Sequence, residues 1–179
     1  MPETKNTKEF LIHSVLMNGR AKFSEAEIAQ LETLKKENNT RPIIYVGAGT
    51  CGLGAGADET LESARKFITD RGIYAKILQT GCIGLCSSEP IMDIKLPGYN
   101  RISFEKVEAK DTETILEQVF NKEIPTEKFL GQFESYSQKA WQNRPYINEH
   151  PFFKHQKRLV LKNCGVSDPV SIEEYIAKN

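Results

Sequence analysis

The chain has 179 residues, 39% hydrophobic and 27% charged, with 24 basic and 24 acidic side chains and a net charge of zero. That length suits one domain plus a flanking segment, and the even charge balance offers no clustered basic face for nucleic acid. No apolar run is long enough for a membrane span and the N-terminus lacks the apolar core of a signal peptide, so a cytoplasmic chain with reduced thiols is expected.

Residues 1–40 read as a polar helical extension. Ser24-Glu-Ala-Glu27 has the form of a capping box, with Phe23 and Ile28 placed as a hydrophobic staple and Ile28, Leu31 and Leu34 forming one apolar stripe. His13 reads as a partly buried helix histidine rather than a ligand. Arg41–Val46 is a short apolar run suited to a buried strand. A glycine-rich loop follows, then a helix opening near Asp58 with Leu61, Ala64, Phe67 and Ile68 on one face and Gly72 as its stop. Tyr74–Leu78 is a second strand. Ile91–Leu96 and Arg101–Phe104 alternate apolar and polar residues around the turn Pro97-Gly-Tyr-Asn100, and Asp111 is placed to cap a helix carrying Ile115, Leu116, Val119 and Phe120. The order β-α-β-β-β-α over residues 41–122 describes an α/β thioredoxin-like sandwich.

Residues 123–179 change character. Pro125, Pro145 and Pro151 interrupt any regular pattern, while Phe129, Phe133, Tyr136, Trp141, Tyr146, Phe152 and Phe153 make the stretch too aromatic for a free linker. An irregular arm draped over its own domain or a partner is expected. Asp168-Pro169 reads as the cap and first residue of a final helix with Ile172, Tyr175 and Ile176 inward.

Three of the four cysteines stand in glycine turns at the ends of predicted strands. Cys51 lies within Val46-Gly-Ala-Gly-Thr-Cys-Gly-Leu-Gly-Ala-Gly56, and Cys82 and Cys86 within Thr80-Gly-Cys-Ile-Gly-Leu-Cys86. An iron–sulfur cluster takes thiolate ligands and accepts hydrogen bonds from nearby backbone N–H groups, so small residues around several thiols suit a [2Fe–2S] centre. On this reading Cys51, Cys82 and Cys86 are the metal ligands, and Gly81 and Gly84 shape the loop and turn N–H groups toward the cluster. The fourth ligand is open between Cys164, a partner's cysteine, and a non-cysteine donor such as Asp58 or Glu89. No catalytic residue is assigned.

Rival readings exist for the same residues. The cysteines could be small core residues. Cys-x3-Cys also falls within zinc-ligand spacings, although no histidine is close in sequence. Gly47-Ala-Gly49-Thr-Cys-Gly52 fits the dinucleotide fingerprint, yet Gln79 and Thr80 stand where its confirming acid belongs. A thiol–disulfide oxidoreductase would want Cys-x-x-Cys at a helix start.

Taken together, Gly49–Ala57, Thr80–Cys86 with Glu89-Pro90, and the tail Gln156–Pro169 with Ile172–Ile176 resemble the N-terminal region of the flavoprotein, NADH-binding subunits of multimeric [FeFe]-hydrogenases and NAD-dependent formate dehydrogenases. Those subunits are related to the flavoprotein subunit of respiratory complex I. The resemblance implies a thioredoxin-like [2Fe–2S] ferredoxin domain with Cys51, Cys82 and Cys86 as ligands. Such ferredoxins usually show Cys-x4-Cys in the first loop, where this chain has Val46 before Cys51 and Gly56 after it. The resemblance also implies one-electron transfer in an NADH-linked, flavin-dependent complex, with other subunits as partners. FMN and NADH would belong to a missing or partner domain, so the chain is not expected to be catalytic alone. A cluster-free scaffold of such a complex is the alternative.

Overall fold

The computed structural model describes residues 7–17 and 23–178. The parts of the expected N-terminal extension at 1–6 and 18–22 lie outside them. Helix α1 (Thr7–Phe10) runs on into a π-helical turn over Leu11–Met17, and α2 spans Glu25–Leu34. Ser24 caps α2 as the sequence predicts: its side chain accepts from the Glu27 N–H, and the Glu27 carboxylate accepts from the Ser24 N–H. The expected stripe is only partly buried, since Leu31 is inside but Ile28 is 46% exposed. His13 is exposed rather than partly buried, because the π-turn directs Leu11 and Val15 inward instead.

The centre of the molecule is a five-stranded mixed sheet. Its strands are β1 (Ile43–Gly47), β2 (Lys76–Thr80), β3 (Met92–Lys95), β4 (Ile102–Phe104) and β5 (Phe129–Gln132), in the order β2-β1-β3-β4-β5. Strands β1 and β2 are parallel, joined by a crossover through the short α3 (Thr50–Gly54) and the long α4 (Ala57–Asp70). Strands β3, β4 and β5 each pair antiparallel with the strand before them in the sheet. Helix α5 (Ala109–Phe120) follows β4 and packs beside α4. This is the thioredoxin-like α/β arrangement expected, with one strand added at the edge. Among the described residues β1 has one parallel neighbour, β2, and an antiparallel one, β3, so the parallel βαβαβ unit of a dinucleotide fold is not formed around it.

Alternation along the strands divides the sheet into two unlike faces. Ile44, Val46, Met92, Ile94, Ile102 and Phe104 point one way and pack with Leu61, Ala64, Phe67, Ile115, Leu116 and Val119 of α4 and α5. The other face carries Tyr45, Asp93 and Lys95, which are buried although two of them are charged. That face is covered by the end of α2 and by the C-terminal segment. Lys95 Nζ donates to the Lys36 carbonyl at 2.8 Å and pairs with Glu37 at 3.2 Å. Arg101 lies over the Tyr45 ring, pairs with Asp93, and donates to the carbonyls of Gly165 at 2.6 Å and Val166 at 3.0 Å.

Further details differ from the sequence reading. Glu108, not Asp111, is the N-cap of α5; Asp111 is the third helical residue and accepts the Glu108 N–H to complete a capping box. The final helix, α6, spans Ile172–Lys178, and Ser171 rather than Asp168 caps it, accepting the Glu174 N–H at 3.2 Å. Of the three residues expected inward, Ile176 packs against the Leu11, Val15 and Leu31 cluster, but Ile172 and Tyr175 are 62% and 54% exposed, and Glu174 and Ala177 are the buried ones. Glu174 turns in because Lys36 and Lys178 are there to pair with it. The segment beyond residue 122 is also less irregular than expected. It supplies β5, and its Trp141 is buried, stacked on Tyr99 with ring centroids 4.4 Å apart and donating Nε1–H to the Asn100 carbonyl.

Candidate metal centre

The two cysteine loops leave the C-terminal ends of adjacent parallel strands. Their bases are tied together: the Ala48 N–H, just past β1, donates to the Thr80 carbonyl at the end of β2 at 2.8 Å. The first loop turns at once into α3, which carries Cys51. A Cβ built on Gly49 would stand 3.2 Å from the Cys82 nitrogen and 3.5 Å from its Cβ, so a glycine here lets the first loop rest on the second.

The second loop alternates between buried and open residues. Ile83 and Leu85 are anchored in a small apolar cluster with Ile91, Leu130 of β5 and Phe153 of the C-terminal arm. Between them Gly84 takes φ +95°, a backbone angle that an L side chain rarely adopts. That angle turns the Gly84 N–H back to the Cys82 Sγ at 3.2 Å. Cys86 opens a single 3-10 turn, Cys86–Ser88, and is the exposed member of the set.

The outcome is a convergence of three thiols. Cys82 Sγ lies 3.7 Å from Cys86 Sγ, and the sulfurs of Cys51, Cys82 and Cys86 all fall within 4.8 Å of one another. Cys51 and Cys82 are half-buried. Burial pushes the Cys82 thiol well up, and the neighbouring Cys51, Cys86 and Glu89 side chains push the same way, while the Gly84 N–H opposes them. A cation bound at this sulfur would displace the thiol proton. Three soft sulfur donors meeting from two loops, one with a backbone N–H already aimed at its sulfur, fit an iron–sulfur group.

Of the sequence-predicted residues, the three cysteines come together and Gly84 supplies the N–H. Gly81 has neither a positive φ nor a close neighbour for an added Cβ. Cys164 lies outside the three-thiol group; it borders a separate cavity lined also by Gly81, Pro169, Val170 and Ile172. Asp58 is exposed on the first turn of α4. Glu89 is buried at the site: its Oε2 accepts the Ile91 N–H at 2.9 Å and its carboxyl interacts with the Cys82 side chain. Burial raises this carboxyl above the ordinary range, against the lowering effect of the Ile91 N–H. Sequence reasoning missed how the arm supports the site through Leu130 and Phe153, a contact no local pattern announces.

Fold and site together define an α/β thioredoxin-like domain with a three-thiol candidate metal centre at the ends of its parallel strands. No family model matches the chain. Among curated proteins it is similar to the NADP-reducing hydrogenase subunit HndB of Solidesulfovibrio fructosivorans, 27% identical over 97 residues, which are 54% of this chain and 77% of that protein. That relative is a hydrogenase subunit, the kind of complex that the motif resemblance implies. Among solved structures it is similar to a thioredoxin-like [2Fe–2S] ferredoxin from Aquifex aeolicus, at 17% identity and a TM-score of 0.45 over 56% of this chain and all of that one. A second structure of that ferredoxin, at 1.5 Å resolution, gives 18% identity and a TM-score of 0.43 over 54% of this chain and all of that one. No helix among the described residues is long and apolar enough to cross a membrane.

Proposed function

We propose that the chain is a one-electron carrier that holds a [2Fe–2S] cluster on Cys51, Cys82 and Cys86. The observation that carries this reading is the approach of three sulfurs within 4.8 Å, brought from two loops that are thirty residues apart in sequence. When bound, such a cluster stores and releases a single electron reversibly. The chain's own residues hold it and tune it. Gly84 N–H donates to the Cys82 sulfur and so favours the more reduced, more negative state. The exposed Cys86 sets one side of the centre at the surface, within reach of a partner.

Similarity to a subunit of an NADP-reducing hydrogenase supports placing the chain in a multisubunit, pyridine-nucleotide-linked oxidoreductase of hydrogenase or formate dehydrogenase type. In that setting FMN and NADH sit on a partner or a further domain, and the chain relays electrons rather than turning over substrate. One observation favours a second reading, a cluster-free scaffold: among the described residues, three thiols gather and not four.

Anaerobic purification followed by reconstitution with ferrous iron and sulfide separates the two. The carrier reading expects a brown protein with about two irons per chain, bleached by dithionite. Cys82→Ser is expected to lose most of that iron. A wild-type sample that stays colourless after reconstitution would establish the scaffold instead.

A further inference from the structure

A [2Fe–2S] unit takes four terminal ligands, and the converging thiols supply three of them. Cys164 faces another cavity, and the Val46 side chain is fully buried in the hydrophobic core with Ile44 and Met92. One further donor faces the site. Glu89, three residues past Cys86, is only 6% exposed. Its carboxylate lies against the first cysteine loop: a Cβ built on Gly47 would meet Oε2 at 2.8 Å and Oε1 at 3.2 Å, and one built on Gly52 would meet Oε2 at 3.3 Å. Gly47 therefore leaves the room that this carboxylate occupies, whereas at Gly52 the nearer obstacle is the Gly47 carbonyl at 2.0 Å. From the second loop the Cys82 side chain reaches the same carboxyl. Oε2 has the Ile91 N–H, but Oε1 is buried with no hydrogen-bond partner. An unpaired buried carboxylate oxygen is costly, and a bound cation removes that cost directly.

We propose that Glu89 completes the donor set, its carboxylate serving as the fourth ligand of a three-thiolate, one-carboxylate [2Fe–2S] centre. The proposal rests on the cluster reading above. Glu89, like Cys164, is not within 4.8 Å of all three sulfurs, but unlike Cys164 it lies against the loop that carries Cys51 and reaches the Cys82 side chain. An oxygen donor is harder than sulfur, so the iron it binds differs electronically from its all-thiolate neighbour.

The test uses the full chain reconstituted with iron-57 and sulfide, read by Mössbauer and resonance Raman spectroscopy and by iron loss to a chelator. Wild type is expected to show two inequivalent ferric sites. Glu89→Cys keeps about two irons, makes the sites more alike and strengthens the visible sulfur-to-iron absorption. Glu89→Gln, nearly the same shape, releases iron at least about tenfold faster. If Glu89→Cys leaves the Mössbauer and Raman spectra as they are in wild type, the carboxylate is not a ligand, and this holds even where Glu89→Gln folds poorly. If wild type itself takes up no iron, the cluster reading fails and takes this assignment with it. The two failures are distinguished by the wild-type iron count.

Discussion

Single residues on the polar face of the sheet carry charge into the interior, and their ionisation shows it. Tyr45 is buried beneath the Arg101 guanidinium, 3.7 Å from the centre of its ring. Burial pushes its phenol up to about 12, with Arg101 only partly opposing the rise. The folded-state value lies above that of the unfolded chain, so the protonated phenol favours the folded state. That contribution is complete below about pH 10 and is lost as pH rises toward 12. Urea unfolding across this window is expected to show stability falling more steeply in wild type than in Tyr45→Phe. Equal slopes would mean that the phenol is not withdrawn from water.

At the level of elements, the cysteine loops are held by pieces that lie far from them in sequence. Ile83 and Leu85 anchor the second loop on β5 and Phe153, and the tail closes behind it at Gly165. Gly165 has φ +71°, and an added Cβ would lie 2.1 Å from the Ile83 Cγ2 and 3.2 Å from the Gly81 carbonyl. Gly165→Ala therefore imposes both a disfavoured backbone and a collision with the Cys82 loop. A stability loss of at least about 2 kcal/mol is expected from urea melts. Reconstituted iron content should fall with it, because the collision falls on the residue after Cys82. A variant with wild-type stability and iron would show that the tail does not press on this loop. The cap of α5 teaches the opposite lesson. Asp111 was legible as a capping residue, but the partner three residues earlier turned out to be the cap itself.

For the whole molecule, the decisive contact is the one that fastens the C-terminal segment across the polar face. Arg101 donates Nε–H to Asp93 at 2.8 Å and reaches the Gly165 and Val166 carbonyls with its remaining N–H groups. Removing the cation leaves Asp93 buried with no counter-charge. Arg101→Met is expected to cost about 3–5 kcal/mol and to expose residues near 165 to protease. Adding Asp93→Asn to that variant should recover part of the loss in urea melts. No recovery would mean that Arg101 acts through its packing on Tyr45 rather than through its charge.

Local chemistry determined much of this protein. The spacing of apolar residues predicted β1, α4, β3, β4 and α5, because period and burial are written into neighbouring side chains. Glycines around Cys51, Cys82 and Cys86 announced a thiol site for the same reason. The tertiary structure alone decided what depends on partners distant in sequence. It turned Glu174 inward to meet Lys36 and Lys178, and made β5 from a proline-flanked stretch by offering it the open edge of β4. It also set an unpartnered Glu89 oxygen beside the thiols while leaving Cys164 outside their group. Whether a buried charge is satisfied depends on what the rest of the chain brings to it, and no window of sequence contains that information.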